Sequence, residues 1–249
     1  MPALAIVGAG RVGTAIHRAA SAAGVEAELS GREGAAAACR RAEAALLCVP
    51  DAAIPEACAA LTAAVPELRF VGHTSGATGL DALDPSRAAG AAVFSLHPLQ
   101  TIPDGEADLA GAPCAISASG AEASALASRL ASALGMCPFE LPERSRAAYH
   151  AAAAIASNFL VAVEESAAEV LRRAGFDGSR ELLTPLVLRS ALNWSERGRD
   201  ALTGPIARGD EATIERHEEA LAEVYPELLD TYRALADLTR ALAAEKELA

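Results

Sequence analysis

The chain opens on an unbroken apolar run, Ala3-Leu4-Ala5-Ile6-Val7, after which apolar residues recur every three or four positions. The first pattern predicts a buried strand and the second an amphipathic helix over Arg11–Ala23. The alternation continues: further strands are predicted over 25–29, Ala44–Val49, Leu68–His73, Ala91–Ser95, Cys114–Ile116 and Cys137–Leu141, with helices over Ala52–Ala64 and Ala121–Leu134. Such alternation predicts an α/β domain, residues 1–142, whose parallel sheet is covered on both faces. From Glu143 the strand pattern stops, and residues 143–249 are expected to form an all-α domain. One helical run extends to Ala174 and ends at Gly175, a residue suited to the left-handed conformation at a helix C-terminus. A second spans Ser179–Arg197, where Pro185 is expected to introduce a kink. Asp210 is placed to cap the next helix, and Leu228, Tyr232, Leu235, Thr239 and Leu242 form a narrow apolar seam on the last. The stretch Ala147–Val163 carries no formal charge, but it is alanine-rich and contains Tyr149, His150, Ser157 and Asn158. A buried helix is expected there, not a membrane span.

Between the first strand and the first helix stands Gly8-Ala9-Gly10-Arg11-Val12-Gly13. Gly8 permits a tight turn out of the strand, Gly10 lets backbone approach a pyrophosphate, and Gly13 lets the helix pack closely on the sheet. A strand, a glycine turn and a helix in that order predict a Rossmann doubly wound parallel sheet, with Gly8, Gly10, Arg11, Val12 and Gly13 against a dinucleotide. The second strand ends in Ser30-Gly31-Arg32, where an NAD enzyme usually carries an acid for the ribose 2′-hydroxyl. A hydroxyl and a guanidinium suit a 2′-phosphate instead, so Ser30 and Arg32 make NADP the expected cofactor. NAD stays open as the alternative, since a slipped register would bring Glu28 to the ribose.

Charge and cysteine usage narrow the class. A formal net charge of −12 over 249 residues leaves no basic stripe for nucleic acid, so an anionic cofactor must be held by local arginines. Lys246 is the sole lysine, which gives lysine chemistry almost nothing to work with. Cys39, Cys48, Cys58, Cys114 and Cys137 form no CxxC pair and sit mostly in Ala- and Val-rich segments, as small buried hydrophobes in a reducing compartment would. No metal site is expected. Met1-Pro2 leads straight into the first strand without a secretory pattern, and a cytoplasmic protein is expected.

Three polar clusters fall at predicted strand ends, where ligands sit in open α/β sheets: Cys48-Val49-Pro50-Asp51, His73-Thr74-Ser75-Gly76 and Ser95-Leu96-His97-Pro98-Leu99-Gln100. Val49 and Pro50 are candidates to pass under a nicotinamide ribose, or else simply end a strand and start a helix. Thr74 and Ser75 are candidates for the same cofactor. A serine hydrolase is not expected, because the positions two before and two after Ser75 hold His73 and Ala77, not glycines. His150 and Asn158 stand about two helical turns apart and can look to one side, so they and His97 are the candidate catalytic residues. Hydride addition to a carbonyl or imine builds charge on the heteroatom, which a histidine titrating near neutrality can protonate and an amide can hydrogen-bond. The competing reading is a pair of core residues bonded to backbone. Thr203, Gly204 and Arg208, together with His97, are the candidate substrate contacts, Arg208 for a carboxylate.

These strings resemble the bacterial Rossmann-like proteins joined to the helical domain of unknown function 2520, kin to deazaflavin-dependent NADP reductases, ketopantoate reductases and pyrroline-5-carboxylate reductases. The resemblance runs nearly end to end. It rests on the glycine turn, Val49-Pro50-Asp51, His73-Thr74-Ser75-Gly76-Ala77, Ser95–Gln100, Tyr149-His150-Ala151-Ala152-Ala153 and Ser157-Asn158. Its most specific string is Leu202-Thr203-Gly204-Pro205-Ile206-Ala207-Arg208-Gly209-Asp210 with Thr213 and His217. It implies an NAD(P)-dependent oxidoreductase with a C-terminal half like that of 6-phosphogluconate dehydrogenase, often a homodimer through that half, without an assigned substrate. Relatives carry a catalytic lysine one turn before an asparagine; if Asn158 is that asparagine, the lysine position holds Ala154. The expected activity is NADP-dependent hydride transfer to a small keto acid or cyclic imine, and the alternative is a sensor or scaffold that binds NADP without turning it over.

Overall fold

The computed structural model describes residues 3–247, so Met1 and Pro2, read above as the lead into the first strand, lie outside the described residues. The chain divides into two compact units, Met1–Ile155 and Ala156–Ala249.

In the first unit every strand expected from the apolar runs is present. β1 (Leu4–Val7), β2 (Ala27–Ser30), β3 (Ala44–Leu47), β4 (Phe70–His73) and β5 (Ala92–Pro98) are parallel, and the order across the sheet is β2-β1-β3-β4-β5-β6-β7. β6 (Pro113–Ala118) runs antiparallel to β5, and β7 (Cys137–Glu140) parallel to β6. The antiparallel pair has a simple cause. No helix forms between Leu99 and Ala112, so the chain lacks the crossover that a parallel return requires. β5 also runs beyond the expected Ser95, because His97 pairs with Ala115 and Pro98 with Cys114 across to β6.

Side chains alternate across each strand, and both faces are apolar. Leu4, Ile6 and Leu46 pack with Ile16 of α1 (Arg11–Ala22) and Leu126 and Leu130 of α5 (Ala121–Ala133). Ala5, Val7 and Leu47 pack on the opposite face with Cys39 of α2 (Ala35–Cys39) and Ile54, Cys58 and Leu61 of α3 (Ile54–Ala64). At about 1.5–3 kcal/mol for each fully buried Leu or Ile, these two layers carry the stability of the first unit. The five-residue helices α2 and α4 (Asp84–Ala88) are not announced by the sequence, since fewer than two turns show no period. The unit ends in α6 (Arg146–Ala154).

The single helix expected up to Ala174 is interrupted by a π-turn, Ile155–Phe159, before α7 (Leu160–Arg173). Widening a helix by one residue barely disturbs its apolar period, so the sequence pattern conceals it. Gly175, at φ +90, ends the run as expected, with Phe176 N–H donating to the Leu171 carbonyl at 3.0 Å. α8 (Ser179–Arg197) continues through Pro185, and α9 (Glu211–Val224) is capped by Asp210, which accepts from Thr213 N–H at 3.2 Å. α10 spans Leu229–Glu247.

Burial corrects one expectation and leaves the covering of another open. The uncharged stretch Ala147–Val163 is not a buried helix: it belongs to a helical run, Glu143–Arg173, long and apolar enough to cross a membrane by length and composition, and none of its most apolar window is buried. The seam on α10 is likewise incompletely covered, with Leu235 and Leu242 exposed and Ala236 buried. Apolar periodicity marks a face that something must cover without saying what. Among the described residues of this unit only Ile214, Leu221 and Ala236 are buried hydrophobics. Phe159, Leu186, Leu188 and Trp194 are each more than half exposed, and a groove of about 780 Å³ opens among Phe159, Val170, Leu221, Tyr232 and Leu235.

Candidate functional site

The parallel strands bring four of the predicted cofactor segments to one edge of the sheet. From β1 the chain goes to β2 on one side and then to β3 on the other, so the glycine turn after β1 lies where the strand order reverses. Gly8 has φ +118, and a Cβ there would overlap the Cys48 carbonyl oxygen; a Cβ on Gly13 would overlap the Gly8 carbonyl oxygen. Both glycines are therefore required by the fold itself. Gly10 differs. A Cβ there would meet nothing within 4 Å, so it faces open space at the start of α1, which has no side-chain cap and no acid in its first turn. Free N–H groups and a positive dipole end beside open space fit a pyrophosphate. Arg11 is exposed and Val12 half-buried on that first turn.

Register resolves the placement of the second strand. Val7 pairs with Ser30 and Ala5 with Glu28, so Ser30 ends β2 and Glu28 lies within it, tied to Arg41 at 3.1 Å. Ser30 Oγ donates to the Ile6 carbonyl at 3.4 Å. The Arg32 side chain is 87% exposed, with Glu56 3.8 Å away as its ion-pair partner. Val49 and Pro50 follow β3, and Pro50 begins the turn into α3. Thr74 and Ser75 follow β4, but their hydroxyls are occupied locally. Thr74 Oγ1 donates to the Leu47 carbonyl at 3.5 Å, and Ser75 Oγ accepts from the N–H groups of Ala77 and Thr78.

Further along the same edge three histidines meet, and they differ. His73 is fully buried. Its Nδ1 accepts from Ser75 N–H at 3.2 Å, which leaves Nε2–H to donate to the Gly79 carbonyl at 3.3 Å. Burial, then the charge of Arg146, pushes its pKa down to about 4, so this is a neutral structural histidine. His97, at the end of β5, has Nδ1 2.7 Å from the Tyr149 hydroxyl, and its ring centroid lies 6.3 Å from that of exposed His150. Burial, followed by the charges of His150 and Arg146, pushes His97 down to about 4 as well. His97 is therefore held neutral at pH 7, because the protein around it disfavours the imidazolium.

Arg146 and its partner Glu143 hold this corner together, and the sequence reading passed over both. Arg146 is 4% exposed and its guanidinium donates to Ser95 Oγ, Ser117 Oγ, the Ser75 carbonyl and Glu143. One side chain thus ties the start of α6 to β5, β6 and the loop after β4. Burial would raise the Glu143 pKa, but the bonds and charge of Arg146 outweigh it and hold the carboxyl below its ordinary range. Gly76, named above only as part of the cluster after β4, also shapes this corner, since a Cβ there would stand 2.8 Å from His97 Nε2 and 3.0 Å from His150 Cδ2.

The remaining candidates belong to the helical unit. Asn158 lies in the π-turn and accepts from Ser157 Oγ at 2.9 Å. Thr203 and Gly204 precede a short 3-10 turn, Ile206–Arg208, on which Arg208 is exposed. Four cysteines are buried as expected, with Cys48 and Cys114 pushed up to about 12 by burial, while Cys137 departs from the expectation and is exposed. Among the described residues no group of histidine, cysteine and acidic side chains could hold a metal.

The family described as Domain of unknown function (DUF2520) matches residues 112–239, and that described as Rossmann-like domain matches residues 26–98. No curated protein matches the chain. Among solved structures, BF3122 from Bacteroides fragilis, a proposed NADP oxidoreductase, is similar over 96% of this chain and 98% of its own, with a TM-score of 0.79 at 22% identity. Protein TM1727 from Thermotoga maritima is similar over 98% and 99%, with a TM-score of 0.72 at 21% identity. Pyrroline carboxylate reductase from Plasmodium falciparum, solved with NADP bound, is similar over 97% and 98%, with a TM-score of 0.64 at 12% identity. Likeness at these identities establishes the shared two-part fold.

Proposed function

This chain belongs to the DUF2520 family, and from that footing we propose that it is an NADP-dependent oxidoreductase acting on a small keto acid or cyclic imine. The observation that carries the reading is the position of the glycine turn. It stands at the strand-order reversal, with Gly10 facing open space on an uncapped helix, on the sheet edge that also bears His97. The solved NADP-bound pyrroline carboxylate reductase and the NADPH-bound reductive aminase from Aspergillus terreus share the fold. When bound, the cofactor supplies hydride. Gly8, Gly10, Arg11, Val12 and Gly13 would hold its pyrophosphate, Ser30 and Arg32 its 2′-phosphate, and Val49, Pro50, Thr74 and Ser75 would line its nicotinamide half through backbone and apolar contact. The ion pair of Glu28 with Arg41 supports this choice over a Glu28–ribose contact. His97 would hydrogen-bond the oxygen or nitrogen that gains charge, and His150 is the candidate proton source. Asn158, Thr203, Gly204 and Arg208 are the ligand contacts proposed for the helical unit.

A second reading, binding without turnover, is favoured by one combination: a neutral His97, and Ala154 where relatives carry lysine if Asn158 is their asparagine. Titration of the purified protein with NADPH and NADH, followed by NADPH oxidation with a panel of keto acids and imines, separates the two. Arg32→Ala should weaken NADPH at least about tenfold more than NADH, because a charge-assisted phosphate contact contributes roughly 1.5–3 kcal/mol. Equal losses would remove the 2′-phosphate assignment, and tight NADPH binding with no oxidation by any panel member would favour the sensor.

We also propose that the exposed apolar faces of α7 and α8 are covered by a second copy of the chain. Three buried hydrophobics among the described residues are too few to sustain about 90 residues alone, and matching faces of two copies would close over each other symmetrically. A membrane is the poorer occupant, because the run Glu143–Arg173 begins with Arg146 buried among serines of the sheet. Light scattering should give about twice 25.3 kDa; a monomer mass at micromolar concentration would refute the dimer.

A further inference from the structure

The bond between His97 and Tyr149 can be made in two ways. A neutral imidazole carries one proton, so either the phenol donates to Nδ1 and the ring proton sits on Nε2, or Nδ1–H donates to the phenol and Nε2 is bare. A phenol is the stronger donor of the two and an imidazole nitrogen the stronger acceptor, which favours the first form. Both groups keep the necessary protonation at neutral pH, since burial pushes Tyr149 up to about 12 and His97 down to about 4. The geometry is close, with Nδ1 and Oη 2.7 Å apart and the rings edge to face at 5.6 Å. The other nitrogen is available. No hydrogen bond to the described residues engages His97 Nε2, and no fully buried polar side-chain atom among them lacks a partner, so Nε2 is not sealed off and is left for a ligand. Gly76 keeps that edge clear, because a Cβ there would stand 2.7 Å from Cε1 and 2.8 Å from Nε2.

We propose that Tyr149 is a positioning residue: by donating to Nδ1 it fixes His97 as a neutral donor that presents Nε2–H, past Gly76, to an oxygen of the bound ligand. This deepens the reductase reading and rests on it only for the nature of the ligand, a carbonyl or carboxylate oxygen. His97 would then polarise that oxygen without transferring a proton, which leaves proton supply to another group.

Ring-nitrogen correlation spectra of the full-length protein at pH 7 test the assignment, with the His97 signals identified by their loss in His97→Gln. The wild type should show the Nε2–H tautomer alone. Tyr149→Phe keeps the ring that packs 6.1 Å from Phe139 and should convert His97 to a mixture of both tautomers. An Nδ1–H tautomer in the wild type, or an unaltered tautomer in Tyr149→Phe, would overturn the proposal. Should the variant fail to fold, the wild-type spectrum alone still decides the direction of the bond. Absence of NADPH oxidation in every assay would count against the reductase reading and leave the tautomer result standing.

Discussion

Arg146→Met should destabilise the first unit by about 3 kcal/mol, the lower end of the 3–5 kcal/mol typical of breaking a buried ion pair. The lower end applies because the partner, Glu143, has a side chain 45% exposed and can be rehydrated once the guanidinium is gone. The buried losses are those of Ser95 and Ser117 and of the Ser75 carbonyl, each of which forfeits a donor. Arg146→Lys should recover only part of the loss, since an ammonium is a compact point charge and cannot span strands β5 and β6 and the loop after β4 as a planar fork does. Urea unfolding of the two variants and the wild type reads this directly. A loss below about 1 kcal/mol for the methionine variant would show that the corner is held by packing alone.

Acid should destabilise the same unit before ordinary carboxylate titration begins. His73 has a folded pKa of about 4 against 6.5 when unfolded, so between these values the unfolded chain takes up a proton that the folded chain refuses. Its contribution is therefore complete above about pH 6.5 and is lost as pH falls towards 4, a loss of roughly 3 kcal/mol for this one buried ring. His97 acts in the same direction over the same window, with a smaller share because it is partly exposed. Glu143, held below its ordinary value, adds a loss at still lower pH as its carboxylate protonates. Unfolding midpoints measured from pH 7 to 4.5 should fall continuously, and His73→Gln should flatten the slope. A midpoint independent of pH across that range would contradict neutral burial of His73.

The parts of this molecule readable from sequence are those written in local signals. Seven strands, the glycine turn, the Asp210 cap and the Gly175 stop each follow from period or punctuation within a few residues. What escaped was written at long range. Arg146, three residues after Glu143 on a helix, looks like a solvated pair, and its burial depends on Ser95 and Ser117, 51 and 29 residues distant. The neutrality of His97 is invisible for the same reason, because desolvation is a property of what surrounds a ring. Tyr149 was within reach: in a chain with three tyrosines, a phenol beside a candidate histidine is itself a signal. The extension of β5 to Pro98 also needed the partner strand, since only pairing with β6 keeps His97 in the ladder.

The two borders of the sheet bear on how the protein behaves when crowded. β7, at one end, carries Pro138, which offers no N–H to an incoming strand, and β2, at the other, is four residues long with a charged Glu28 at its centre. Neither border is therefore a ready template for adding strands, which leaves the exposed apolar helices as the surfaces on which association would have to occur.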